Sequence, residues 1–144
     1  MSLDLEAVVG DTQDGKKQEL RLWLRLLSVS KLISQEIRRR LRLEFGATLP
    51  QFDLLAQLNR ESDGLNLGEL SKRTKVTNGK ITGPVERLED DGFLTREQSN
   101  EDRRVTVARI APKGRNTFAR MAQAHESWLQ ELMEGVDAAT PPPR

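Results

Sequence analysis

Apolar positions recur at helical spacing through most of this chain and switch to alternation in one short region, so the pattern predicts helices flanking a single hairpin. From Lys17 to Phe45 they form two adjacent stripes, Leu20, Trp23, Leu27, Leu41 and Phe45 beside Leu22, Leu26, Val29, Ile33 and Ile37. Together the stripes span roughly 200° of helix surface, about twice what a helix at the edge of a small domain buries. Either the helix is central and buried in one domain, or one stripe packs on its own chain and the other on a second copy, as in two-fold dimers. Gly46 is placed to end the helix at C′.

A second helix is expected in TLPQFDLLAQLNRES, with Pro50 in its first turn, Phe52, Leu55 and Leu58 inward, and Ser62-Asp63-Gly64 as the closing turn. Two short helices follow. In NLGELSKRT, Asn66 is an N-cap candidate, and Glu69 can reach back to complete a capping box. After Val76, Thr77 can cap TNGKITGPVERLEDDG, whose Ile81, Val85 and Leu88 share a face, with Gly92 at C′. Two helices split by a short turn make a helix-turn-helix, in which the second helix offers its first residues to the major groove. Those residues are Thr77, Asn78, Gly79, Lys80 and Thr82, with Lys75 just before them and Arg87 farther along. Pro84 lies inside this pattern. In a helix running from Asn78 to Asp91 it would lose a bond to the Lys80 carbonyl and bend the axis, whereas with Gly83 beside it the helix could instead start late.

The alternation then appears, in FLTREQ and RRVTVARI, two runs rich in β-branched residues separated by the charged turn SNED. This hairpin is a wing. Arg103 and Arg104 sit at its tip, where arginine can enter a narrow minor groove of negative potential. A last helix is expected from Pro112, with Phe118, Met121, His125, Trp128, Leu129, Leu132 and Val136 forming another wide apolar face. The fold class is mainly α with a small β-hairpin wing: a winged helix-turn-helix between N- and C-terminal dimerisation helices. By residue, the expected organisation is an arm (1–17), a dimerisation helix (18–46), the winged helix-turn-helix (47–111), a second dimerisation helix (112–136) and a tail (137–144).

Composition narrows the function classes. The 144 residues suit one domain with a real core, and the net charge is only +1, so no polybasic tail is present. Basic charge is instead local: Lys72, Arg73, Lys75 and Lys80 occur with no acid among them, whereas Glu86, Glu89, Asp90 and Asp91 crowd the far end of the second short helix. Such an asymmetry draws the helix N-terminus to phosphate and keeps its C-terminus away. Cysteine is absent, which excludes disulfides and thiolate metal sites and suits a cytoplasmic protein. No segment approaches a membrane span or a signal peptide. One histidine, no glycine-rich phosphate loop and no metal-ligand spacing leave no catalytic constellation, no metal site and no cofactor to name.

LPQFDLLAQL, LGELSKRTKVTNGKITGPVERLEDDGFL and, most specifically, EDRRVTVARIAPKG resemble the multiple antibiotic resistance regulator (MarR) family of winged-helix transcription factors, over about Gln18 to Glu134. The family's wing motif, Asp, a spacer, Arg, five residues, then Leu-Thr, is matched at Asp102, Arg104 and conservatively Ile110, with Ala111 in place of the threonine. The resemblance implies that Arg104 enters the minor groove while Asp102 shapes the wing tip. It also implies a homodimer, with Leu20, Trp23, Leu26, Leu27, Trp128 and Leu132 at its interface, that binds double-stranded DNA at a pseudo-palindromic operator, as a repressor. The family usually has one more helix after the equivalent of Met133, where this chain reads DAATPPPR, so the dimer is expected to rely on two helices. Release by a small acidic or aromatic effector in the crevice between dimer and winged helix is implied as well, with Trp23, Arg38, Arg42 and His125 as contacts and a hydroxycinnamate-type acid or its thioester as first guess.

Plainer readings stand beside these. A winged helix can be a protein-interaction module that never touches DNA. The cluster Arg38, Arg39, Arg40 and Arg42 suits a solvated face near a helix C-terminus. His125 suits a packed, hydrogen-bonded position, and Trp23 and Trp128 suit the core first and a ligand wall second.

Overall fold

The computed structural model describes residues 14–74 and 80–139. Helix α1 (Asp14–Phe45) is followed by α2 (Leu49–Asn59), β1 (Leu65–Asn66), α3 (Leu67–Arg73), α4 (Thr82–Asp90), β2 (Leu94–Gln98), β3 (Thr106–Ile110) and α5 (Pro112–Ala139). Apart from β1, the order is the expected one. Both long helices run farther outward than expected, α1 starting at Asp14 rather than 18 and α5 reaching Ala139 rather than 136. Good helix formers, Lys16 to Glu19 at one end and Ala138 and Ala139 at the other, extend them past the last apolar signal. The rest of the expected arm and tail lies outside the described residues.

Helix α2 organises the core. Its Leu54, Leu55 and Leu58 are fully buried and pack with Leu41 from α1, Leu70 from α3, Val85 and Leu88 from α4, Leu94 from β2, Ala108 from β3 and Met121 from α5. The chain enters α2 through a capping box absent from the sequence reading: the Gln51 N–H donates to Thr48 Oγ1 at 3.2 Å and the Thr48 N–H donates to Gln51 Oε1 at 3.0 Å. At α3, Asn66 caps as expected, accepting from the Glu69 N–H at 2.8 Å.

Three antiparallel strands form one sheet in the order β1-β3-β2, with Leu94 opposite Ile110 and Gln98 opposite Thr106. Strand β1, two residues long, was not foreseen because so short a run carries no alternation. It pairs Leu65 with Ala108 and so joins the wing to the start of α3.

The two stripes of α1 divide differently from expectation. Ile37 and Leu41, one from each stripe, are buried, and Ile33 and Phe45 pack against the same core. Farther toward the N-terminus both stripes are open, with Leu22 59%, Trp23 50% and Leu26 55% exposed. The boundary therefore crosses the helix near Ile33 instead of running along it, because the core that packs on α1 reaches only its C-terminal part. Trp23 is thus not a core residue of its own chain. Trp128 is partly buried, its ring centroid 6.3 Å from that of Phe45.

Candidate nucleic-acid interface

Helix α4 begins late. The first intrahelical bond runs from the Val85 N–H to the Ile81 carbonyl at 2.8 Å, so Lys80 and Ile81 precede the helix and Thr82 opens it. Pro84 is its third residue, where the missing N–H is one of the donors that any first turn leaves unpaired. The bend considered for a helix from Asn78 to Asp91 does not occur; the late start is the solution the chain adopts. Lys75, Thr77, Asn78 and Gly79, expected as base- and phosphate-contacting residues, lie outside the described residues, as does the expected Thr77 cap. Lys80, Thr82 and Arg87 are exposed.

The far end of α4 is fastened more firmly. Gly92, at φ 81°, takes the left-handed conformation that lets its N–H reach the Glu89 carbonyl at 2.9 Å while the Phe93 N–H reaches the Leu88 carbonyl at 2.8 Å. Glu89 also accepts from Arg96 on β2 three times: from its backbone N–H at 3.1 Å, from Nε at 3.1 Å and from Nη2 at 2.8 Å. Through these bonds Arg96 holds the Glu89 carboxyl below its usual range, and one of the four acids crowding the end of α4 becomes a structural tie to the wing. Sequence spacing could not reveal that pair, since the register of β2 against α4 is a tertiary fact.

At the wing tip the turn is closed by local bonds. The Ser99 N–H donates to the Val105 carbonyl at 2.8 Å, and the Val105 N–H donates to the Asp102 carbonyl at 3.0 Å. The Asp102 carboxylate accepts from the Arg104 N–H at 3.0 Å and from the Arg104 guanidinium, through Nε at 3.2 Å and Nη2 at 3.4 Å. These bonds, chiefly that from the Arg104 side chain, hold the Asp102 carboxyl below its usual range. The Arg104 side chain itself is 91% exposed, and Arg103 beside it is exposed too. A guanidinium steadied by Asp102 on a largely exposed side chain can be delivered into a groove. The wing is braced from below by Arg109, which donates to the Asp63 carbonyl at 3.0 Å and to Glu97 at 3.2 Å.

The residues expected at a dimer interface fall into two groups. Trp23, Leu26 and Leu27 on α1 are exposed and Leu20 is half-buried, whereas Trp128 and Leu132 pack partly against their own core. Leu129 and Met133, outside the expected set, are exposed on α5. Near this level α1 and α5 are clamped by Arg40, which donates to Glu131 at 2.9 Å and to Glu36 at 3.0 Å.

The residues expected to hold an effector are not all brought together. Arg38 and Arg42 line a hollow of about 300 Å³ with Ala47, Thr48, Leu49 and Pro50. Trp23 is fifteen residues before Arg38 on the same helix, about 22 Å away along its axis. His125 stacks on Phe52 with ring centroids 5.1 Å apart, and burial lowers its pKa. Arg39 and Arg40 are engaged with Glu36, so the arginine cluster is half structural.

Residues 47–106 match the sequence model of the MarR family. A MarR family transcriptional regulator from Silicibacter pomeroyi is 36% identical, its structure superposing with a TM-score of 0.68 over 87% of this chain and 86% of its own. The transcriptional activatory protein BadR of Rhodopseudomonas palustris is 28% identical over 120 residues, covering 81% of this chain and 68% of BadR. Sco3205 of Streptomyces coelicolor, a MarR family regulator solved in complex with DNA, shares the fold with a TM-score of 0.75 at 24% identity over 90% of this chain and 79% of its own. The matched region spans 56 to 69% of the length of three curated relatives.

Proposed function

From the premise that this chain belongs to the MarR family of helix-turn-helix transcriptional regulators, and is accordingly no enzyme, we propose that it binds a pseudo-palindromic operator in double-stranded DNA as a homodimer and represses transcription sterically until a small acidic or aromatic molecule releases it. The wing tip carries this reading. Asp102 accepts from the backbone N–H, Nε and Nη2 of Arg104 while the Arg104 side chain stays 91% exposed, an arrangement that suits a minor-groove reader. Lys80, Thr82 and Arg87, with Lys75, Thr77, Asn78 and Gly79 ahead of them, would face the major groove, and Asp102 and Arg103 would flank the insertion.

The organisation follows from where apolar surface is left open. Residues 47–111 would act as the reading domain, and 18–46 with 112–136 as the dimerising part, Leu20, Trp23, Leu26, Leu27 and Leu132 covering one another across a two-fold axis. Effector release fits the hollow lined by Arg38 and Arg42, whose guanidinium groups have no acidic partner among the described residues. A hydroxycinnamate-type acid offers a carboxylate for those arginines and a ring for Leu49 and Pro50. Repression is the sign proposed here although BadR is named for activation; a footprint overlapping the promoter supports it, and one upstream of the promoter overturns it.

The test is duplex binding by protein selected on random DNA. Arg104→Ala should weaken the selected site by about 1–3 kcal/mol with the fold intact, and Lys80→Ala should reduce the salt slope by about one unit. Absence of salt-dependent binding to any duplex would instead favour a protein-interaction module.

A further inference from the structure

The positive charge of this chain does not lie where the reading elements are. Residues 47–111 carry ten cations and eleven acids, whereas α1 carries nine cations and four acids, so the reading domain has no net positive charge and the first helix holds the excess. An excess of one sign attracts a polyanion at range, which balanced charge does not.

Six of the cations on α1 share one side of it. At about 100° per residue, Arg21, Arg25, Lys31, Arg38, Arg39 and Arg42 fall within about 140° of the helix surface, turned away from the core-facing Ile33, Ile37, Leu41 and Phe45. All six are exposed. Arg39 is bonded to Glu36 at the border of this sector, and the other five have no acidic partner among the described residues. From Arg21 to Arg42 the helix rises about 32 Å, close to the roughly 34 Å of one duplex turn. Leu22, Trp23, Leu26 and Leu27 fall outside the sector, so a second copy that covers them leaves the cations in solvent.

We propose that this side of α1 is a second, sequence-independent binding surface for a DNA duplex, which it holds by its phosphates while α4 and the wing occupy the operator. Five of the six cations are arginine, whose planar fork meets phosphate oxygens in pairs. A duplex suits the surface better than a lipid bilayer does. A helix lying on lipid needs an apolar stripe beside its cations, and from Ile33 to Phe45 that stripe is turned into the core. Phosphate contacts carry no sequence information, so the surface would add a duplex of any sequence to the operator-bound protein and bridge the two. The proposal rests on the reading of the chain as an operator binder. Arg38 and Arg42 also line the smaller hollow, and the test therefore leaves them intact.

The full chain, saturated with a labelled duplex that it has selected, is titrated with a differently labelled duplex of random sequence and followed by sedimentation. A species carrying both labels should form and should weaken steeply with salt. The triple variant Arg21→Gln, Arg25→Gln, Lys31→Gln should weaken the second duplex about tenfold or more, lower its salt slope by up to about three units and keep operator affinity within about twofold. Arg104→Ala should do the converse. Lys31→Gln with Arg39→Gln, placed where α1 is covered by its own core, should also weaken the second duplex, which judges the surface even where the triple variant disturbs the association of copies. The absence of a doubly labelled species, a second duplex held equally well by the triple variant, or equal losses at both duplexes would each overturn the proposal. Capture of phosphatidylserine vesicles that is lost in the triple variant, without any second duplex, would overturn it in favour of a membrane. If the wild-type protein selects no operator, the functional reading falls, and binding of the random duplex by free protein and by the triple variant still decides the surface.

Discussion

Asp102 and Arg104 stand two positions apart and still satisfy one another three times, a local partnership that could be found within the wing motif. Glu89 with Arg96 and Arg40 with Glu131 could not, because their partners arrive from other elements. Glu36 shows what such pairing does: bonds from Arg39 and then Arg40 pull its pKa from 4.5 to about 2. His125 moves down as well, for a different cause, since stacking on Phe52 removes part of its hydration. The sign follows from linkage. With a folded-state pKa below 6.5, the unfolded chain takes up the proton first, so the stability linked to His125 is complete above about pH 6.5 and declines as pH falls through that value. Thermal unfolding between pH 8 and 5 should show this decline, and His125→Phe, which keeps the stacking, should flatten it. An identical profile in the variant would assign the decline to other groups.

Among the elements, α4 departs most from a simple reading of its pattern. Among the described residues, Lys80 and Ile81 precede the helix and Thr82 opens it, so the proline that looked disruptive falls in a first turn where it suits the backbone. Restoring an N–H at position 84 therefore adds no intrahelical bond. Pro84→Ala should lower stability by about 0.4–1 kcal/mol, by enlarging the freedom of the unfolded chain, and leave the affinity for a selected operator unchanged. Denaturant midpoints for the two proteins measure this, and a more stable variant would mean that α4 resists its proline. At the other end of α4, Gly92 was legible as a stop signal, while the docking of α5 on that stop at Gly114 was not. A close approach of backbones depends on where two elements meet, and nothing in the spacing of Gly114 reveals it.

For the whole molecule, the open ends of the two long helices are decisive. Leu22, Trp23, Leu26, Leu27, Leu129 and Met133 leave a large apolar area exposed on one chain, more than scattered surface residues explain. Leu26→Asp should therefore leave the winged helix folded, because position 26 lies 55% exposed in the single chain, yet break the proposed dimer by placing an unpaired charge in its contact at a cost of several kcal/mol. Sedimentation at micromolar concentration distinguishes these outcomes. A wild-type monomer would remove the dimer reading, and a Leu26→Asp dimer would place the contact elsewhere.

Periodicity, caps and the wing motif, all carried within a few residues of chain, sufficed for the order of the helices and the hairpin and for the mainly helical class. Each depends on local backbone geometry and on side chains close enough in sequence to meet without help. The two-residue strand β1, the Glu89–Arg96 tie, the crosswise boundary between covered and open surface on α1 and the bond from Lys113 to the Asp91 carbonyl were decided by tertiary structure alone. In each, what a residue does depends on which distant element packs against it, and hydrophobic pattern along a chain records that a face must be covered without recording by what.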